Sequence, residues 1–327
     1  MESSRARRGS RARPSGHRRP LLHRALVSVA VLGASAAGTV YVTAQAHSGP
    51  GAVPSATPTS SGSAGGEVSV EPVIRSASQS ASQAAASVVD RDALLAKAMA
   101  SVTVPDGARV SVAVLDVDSG LSAVFGTGAF DTASIVKVDI LATLLLQAQD
   151  AGRHLTAREK AYATAMIENS DNDSATALWN SVGGAAGLEA ANERFGLTGT
   201  EGGDGVLWGL TRTTAADQLT LLRQVFGADS ELSEASRTYL QGLMGQIAAD
   251  QHWGVSAVAD GSAWALKNGW LPRTATGLWD VNSIGRVTSG GHDYLVAVLS
   301  DGNATQAKGI ALVEAAAKAA MSAFTDA

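Results

Sequence analysis

The stretch Trp264–Ser300, WALKNGWLPRTATGLWDVNSIGRVTSGGHDYLVAVLS, decides the fold. Pro272 and Gly290-Gly291 punctuate three apolar runs, which predicts strands near 263–271, 276–288 and 293–300. Connections this short join antiparallel neighbours, because a parallel return needs a dozen or more residues. An alanine-rich helix is predicted directly afterwards, over 305–324. Inside the first strand, Lys267-Asn268-Gly269 interrupts the apolar run and places a cation where a core strand would carry none.

Working back from there, the chain opens its structured part in the same manner. Leu94, Leu95 and Met99 share one face of a predicted helix over 90–100. Strands follow at Val110–Val117 and Leu121–Gly126 around the turn Asp118-Ser119-Gly120. Helices are predicted over 134–148, 155–168, 173–181, 185–195, 213–226 and 231–247. Helix and two strands, a helical block, then three strands and a helix give an α/β chain of the α+β kind. Its antiparallel sheet is covered by the N- and C-terminal helices and carries an inserted all-helical subdomain. A pocket is expected at the junction of sheet and helical block.

Before residue 88 the texture differs. Residues 1–24 hold eight arginines against Glu2, a balance of +7, so the remainder carries −5 − 7 = −12. Residues 25–44 are uncharged and followed by Ala44-Gln45-Ala46, a small-x-small pattern. This predicts a basic cytoplasmic n-region at 1–24 and a signal peptide or membrane anchor at 25–46. Residues 47–87, rich in Ser, Ala, Gly, Pro and Thr, read as a disordered stalk, and 88–327 as the catalytic domain. The expected location is extracytoplasmic, secreted or held at a bacterial membrane through 25–44. The basic segment precedes an apolar run rather than belonging to the domain, so nucleic acid is not an expected partner. With no cysteine, the chain lacks disulfides, thiolate metal ligands and cysteine nucleophiles. Neither a metal nor an organic cofactor is expected, since no zinc-ligand pair, phosphate loop or dinucleotide fingerprint occurs.

Three polar clusters carry the chemistry. Ser134 falls where a loop meets a helix, so unpaired backbone N–H groups converge there and its own N–H can hold an oxyanion. Lys137 follows three residues on, on the same helical face, and an amine there accepts the serine proton once burial lowers its pKa. Of six lysines, Lys137 alone has a serine three residues before it. Ser170-Asp171-Asn172 sits between two helices; it is an ordinary capped turn or, functionally, a hydroxyl to relay a proton and an amide to grip substrate. Lys267-Asn268-Gly269 is either an edge-strand charge that discourages aggregation or a seat for a substrate carboxylate. A Ser-His-Asp arrangement fits poorly, because His154, His252 and His292 all stand near turn-like sequence.

Ser134-x-x-Lys137 opening a helix, Ser170-Asp171-Asn172 in the helical block and Lys267-x-Gly269 on a late strand resemble the penicillin-recognising serine enzymes, class A β-lactamases above all. MIENSDNDSATAL, Met166–Leu178, is particularly similar to that family's second motif and the helix after it. The resemblance covers roughly 88–327. It implies Ser134 as nucleophile and Lys137 as proton acceptor. It further implies Ser170, Asn172, Lys267, Asn268 and Gly269 at the substrate, with Lys267 and Asn268 at its carboxylate and the amides of Ser134 and Trp270 as oxyanion hole.

The chain departs from the pattern in three places. FGLTGTEGGDGVLWGLT, between Phe195 and Thr211, lacks the Glu-x-x-Leu-Asn motif whose glutamate activates the deacylating water. Glu201 and Asp204 are the acids there, Glu201 being the candidate deacylation base, and Thr176 stands where the family often has an asparagine supporting that glutamate. The third motif reads Lys-Asn-Gly rather than Lys-Thr-Gly, and the helical block is shortened between Ser134 and Ser170. The expected activity is amide hydrolysis of β-lactams through an acyl-serine with slow deacylation. A D-alanyl-D-alanine peptidase or transpeptidase acting on peptidoglycan peptides is the second expectation. A non-catalytic module binding wall peptides or β-lactams is the third.

Overall fold

The structure is a computed structural model and describes residues 90–325. The expected n-region, signal or anchor segment and stalk lie outside the described residues. Among the described residues, no helix is long and apolar enough to cross a membrane.

Helix α1 (Arg91–Met99) leads into strands β1 (Arg109–Asp116) and β2 (Ser122–Phe125), followed by the short strand β3 (Phe130–Asp131). The helical block comprises α2 (Val136–Asp150), α3 (Ala157–Glu168), α4 (Asn172–Val182) and α5 (Gly184–Phe195). Strand β4 (Arg212–Thr213) comes next, then α6 (Ala215–Phe226) and α7 (Glu234–Met244). Strands β5 (Trp264–Pro272), β6 (Trp279–Ser289) and β7 (His292–Asn303) and helix α8 (Gln306–Thr325) complete it. The main sheet runs β2-β1-β7-β6-β5 with every pairing antiparallel. The first hairpin and the last meander therefore meet at β1 and β7, leaving β5 as an edge.

Two apolar clusters flank this sheet. One joins its inner face to the helical block through Ile140, Leu144, Trp179, Leu221 and Leu299; the other joins the outer face to α1 and α8 through Leu95, Val296, Val298 and Val313. Successive strand residues face opposite sides, so β7 feeds Leu295, Ala297 and Leu299 to one cluster and Val296 and Val298 to the other. A strand clad on both faces reads as a continuous apolar run, as YLVAVL does in the sequence.

Two features exceed the sequence expectation. Phe130 and Asp131 pair with Thr213 and Arg212, tying the chain just before Ser134 to the chain just before α6. Two-residue strands carry too little pattern to be seen in sequence. Strand β5 also continues through Pro272, and β6 begins only at Trp279, because residues 273–278 close a turn in which Arg273 N–H donates to Leu278 O and Gly277 N–H to Arg273 O. Proline is tolerated at the end of an edge strand.

Candidate active site

Ser134 lies in a 3-10 turn, Ala133–Ile135, with α2 beginning only at Val136. The turn is held from outside: Asn282 on β6 donates to Asp131 O at 2.9 Å and Thr132 O at 3.0 Å, and Thr132 N–H donates to Thr211 O. Among the described residues, Ala133 (φ 48°) and Ser170 (φ 54°) are the non-glycine residues in the left-handed region. Such backbone costs on the order of 1–3 kcal/mol per residue and persists only where neighbours dictate it. Both bends sit at the site, one just before the candidate nucleophile and one at the candidate relay.

Lys137, fully buried, directs Nζ at three oxygens: Ser170 O at 2.6 Å, Asn172 Oδ1 at 2.8 Å and Ser170 Oγ at 3.1 Å. Lys267, also fully buried, donates to Ser170 Oγ at 3.1 Å and to Asn268 O at 2.8 Å. The bland alternative of a solvated edge-strand lysine is thereby excluded for Lys267. Burial lowers the Lys137 pKa to about 7, against the opposing pull of Asp171. Lys267 is pushed well below the usual lysine range by burial first and by Lys137 second.

As an ammonium, Lys137 donates to all three oxygens; as a neutral amine it keeps the N–H bonds to Ser170 O and Asn172 Oδ1 and turns its lone pair to the Ser170 hydroxyl proton, while Lys267 donates to the same hydroxyl oxygen. Ser170 and Asn172 are presented together because Asp171, between them, caps α4 by accepting from Ser174 N–H at 2.7 Å. Asn172, with Oδ1 engaged by Lys137, keeps its Nδ2 for the cavity it lines.

The cavity holds about 510 Å³ and is lined by Ser134, Asn172 and Thr176 on one side, the loop Val206–Leu210 on another, and Trp270–Ala275 opposite. The Ser134 hydroxyl makes no hydrogen bond to another described residue, and Lys137 Nζ is turned toward Ser170 rather than toward it.

Strand alternation sorts the third cluster. Gly269 faces the nucleophile's turn so closely that a Cβ there would stand 2.7 Å from Thr132 O, 2.8 Å from Ser134 N and 2.9 Å from Ile135 N. Lys267, two residues away, shares that side. Asn268 points to the opposite face, where its Nδ2 donates to Gln251 O at 2.8 Å and Trp253 O at 3.0 Å. Asn268 is fully buried and does not line the cavity, so the sequence expectation of Asn268 at a substrate carboxylate meets a side chain committed elsewhere. Thr288 N–H donates to Ala263 O, and the alternation of the ladder then turns the backbone of Asn268 and Trp270 to the free edge, beside Ser134. The Lys267 contact to Asn268 O is made on that edge.

Glu201 is exposed, its backbone exchanging hydrogen bonds with Arg212 at 2.9 Å each way, and neither Glu201 nor Asp204 lines the cavity. The loop instead turns Trp208 inward. Its Nε1 donates to Thr176 Oγ1 at 3.1 Å, and Lys137 Nζ lies 4.9 Å from its ring centroid. Arg273 is the charged residue lining the cavity, paired with Asp131 and, at 3.4 Å, with Asp280. Burial raises the Asp280 pKa to about 6, with Arg273 opposing. Sequence reasoning missed both residues. Trp208 stands in a glycine-rich loop with no periodic signal, and Arg273 in a turn whose geometry depends on where β5 ends; an aromatic and a cation flanking the two motif-bearing segments were the available hints.

An antiparallel sheet with α1 and α8 on one face, a helical block on the other, and a serine turn at the free edge of β5 is the β-lactamase/transpeptidase-like fold. A family model described as the β-lactamase enzyme family matches residues 145–324, and the chain belongs to that family. Solved structures agree on the fold. PBP-A is 20% identical with a TM-score of 0.62, covering 72% of this chain and 96% of that one. A PBP-A mutant solved as its acyl-enzyme complex with penicillin G is 21% identical, TM-score 0.60, covering 72% and 97%. A class A β-lactamase from Bacteroides cellulosilyticus is 16% identical, TM-score 0.61, covering 73% and 98%. No curated protein matches the chain.

Proposed function

We propose that the chain is a serine enzyme that opens β-lactam or related amide bonds through an ester on Ser134 and releases that ester slowly. The observation that carries the proposal is the shared hydroxyl, with Lys137 and Lys267 each 3.1 Å from Ser170 Oγ. Ser134 Oγ adds to the amide carbonyl carbon and gives up its proton toward the neutral Lys137 amine. The oxyanion meets the N–H groups of Ser134 and Trp270. Collapse breaks the C–N bond, and the leaving nitrogen takes a proton through Ser170, which is replenished from Lys137. Lys267 holds the relay oriented. Asn172 Nδ2 is free to meet the acyl-side amide, and Arg273, rather than the buried Lys267 or Asn268, is placed to meet a substrate carboxylate.

Slow release follows from composition. No Asp or Glu lines the cavity among the described residues, so water lacks the carboxylate base that class A enzymes supply. The same observation favours a second reading, a D-alanyl-D-alanine peptidase or transpeptidase, in which an amine acceptor or an unassisted water resolves the ester. Export through the basic and apolar segments at 1–46 belongs to both readings, since each acts on extracytoplasmic substrates.

Intact-mass measurement of the chain mixed with a fluorescent penicillin tests the proposal. A persistent adduct that is lost in Ser134→Ala supports it; rapid turnover with released hydrolysed drug removes the slow-release part. Absence of any adduct overturns the acyl-serine mechanism for β-lactams and favours the binding module.

A further inference from the structure

We infer that Trp208 occupies the place a deacylating acid takes in the enzymes this chain resembles, and that its indole keeps water away from the Ser134 ester. The inference rests on the acyl-serine reading above and adds the residue that sets the ester's lifetime.

Two contacts fix the indole. Thr176 stands at the position where the family often carries the asparagine that supports its glutamate, and here its Oγ1 accepts the Trp208 Nε1–H at 3.1 Å. Thr176 Oγ1 is itself oriented by donating to Asn172 O at 3.0 Å, one turn back on α4. The ring lies 4.9 Å from Lys137 Nζ, so the face a carboxylate would present to the amine is an aromatic face instead. An indole there has no acceptor for a water proton and excludes the water as well. It also adds to the burial that depresses the lysine pKa.

The loop is built to hold this position. Trp179 Nε1 donates to Gly205 O at 2.7 Å, and Gly203 N–H donates to Thr211 Oγ1 at 3.1 Å. A Cβ at Gly203 would come within 2.2 Å of Leu207 O, so the loop folds tightly on itself there. Val206 and Leu207, at the tip, are 62% and 52% exposed, whereas Trp208 beside them turns in. The indole is half-buried against the core while its two apolar neighbours stand in solvent, which marks the inward residue as the one the loop is shaped to deliver.

Trp208 is a positioning residue: it forms no bond to substrate and acts through water and through Lys137. The test compares Trp208→Ala, Trp208→Phe and Thr176→Val with the parent chain, in penicillin adduct lifetime and in the pH midpoint of acylation. Removing the ring in Trp208→Ala opens the ester to water next to an amine able to act as base. Since such a base typically supplies roughly 10²–10⁴-fold, the adduct lifetime is expected to fall at least about tenfold. Solvent reaching Lys137 should simultaneously move the acylation midpoint upward. Trp208→Phe keeps the aromatic cover and should stay within about threefold of the parent. Thr176→Val removes the indole's anchor without opening the core and should shorten the adduct by a smaller factor; it decides the matter if Trp208→Ala does not fold. Unchanged lifetimes in Trp208→Ala, or in Thr176→Val where the alanine variant is lost, overturn the inference. A parent chain that forms no adduct on Ser134 removes the acyl-serine reading and this inference together, whereas an adduct indifferent to these substitutions removes only the inference.

Discussion

Lys137 and Lys267 aim their Nζ atoms at one oxygen, the Ser170 hydroxyl, each from 3.1 Å, and both side chains are fully buried. Two ammonium groups so close and so dry repel strongly, so at least one must shed its proton. The arrangement makes Ser170 Oγ the oxygen that the two buried amines share. Ser170→Ala should therefore lower the rate of penicillin acylation by roughly 10²–10⁴-fold, the range for a lost proton relay. Labelling rates under single-turnover conditions check this, and a loss below about threefold would take Ser170 out of the mechanism.

The lysine that titrates near neutrality gives the reaction its pH dependence. Lys137 acts as a base only when deprotonated, and burial brings its pKa down to about 7. Acylation should rise as pH increases through that value and level off above it, with the adduct formed slowly at pH 5. Lys137→Arg should abolish the rise together with the activity, because a guanidinium stays protonated throughout. A flat acylation profile between pH 5 and 9 would assign the base elsewhere.

Much of this was legible because strands and helices announce themselves by period and punctuation. The 305–324 helix, the three late strands and the helical block between Ser134 and Met244 needed only alternation, caps and glycine-bounded turns. The ordered clusters at Ser134, Ser170 and Lys267 likewise placed themselves at a loop–helix junction, an interhelical turn and a strand. Illegible were the facts that depend on packing between elements tens of residues apart. Asn268 looked like a partner of Lys267 because it is adjacent in sequence, yet adjacency in a strand means opposite faces. Glu201 drew notice as an acid in the right segment, but which side chain of a loop turns inward is set by contacts with Thr176 and Lys137 that no local pattern encodes.

A buried carboxyl on the same helix as Lys137 sets a stability trend. Asp139 accepts from Asn192 Nδ2 at 3.1 Å through one oxygen, while its other oxygen has no partner among the described residues. Burial first, and Asp217 as well, raise its pKa from 3.8 to about 7, against the Asn192 hydrogen bond. The folded chain thus holds a proton that the unfolded chain releases, so stability falls as pH climbs from about 4 to about 7 and flattens beyond. At ~1.4 kcal/mol per pH unit the loss is at most about 4 kcal/mol. Asp139→Asn, isosteric and uncharged, should remove that slope and be the more stable protein at pH 8. Urea denaturation at pH 5 and pH 8 checks this; equal slopes for both proteins would mean Asp139 ionises without cost.

Two glycines should respond to the same substitution with opposite signs. At Gly242, exposed on α7, a Cβ would meet nothing within 4 Å, so Gly242→Ala should stabilise by about 0.5–1 kcal/mol through helix propensity alone. At Gly269 the added carbon would stand 2.7–2.9 Å from three backbone atoms of the turn that carries Ser134. Backbone cannot step aside as a flexible side chain would, so the edge strand must lift from the turn, at a cost of about 1–3 kcal/mol. That displacement also separates the Trp270 N–H from the Ser134 N–H, the two donors assigned to the oxyanion. Removing one such donor typically costs about 10²–10³-fold in rate. Gly269→Ala should accordingly lose penicillin acylation out of proportion to its stability, still folded by thermal melting but poorly labelled. A Gly269→Ala protein that labels at the parent rate would show that the free edge of β5 plays no part in holding the oxyanion.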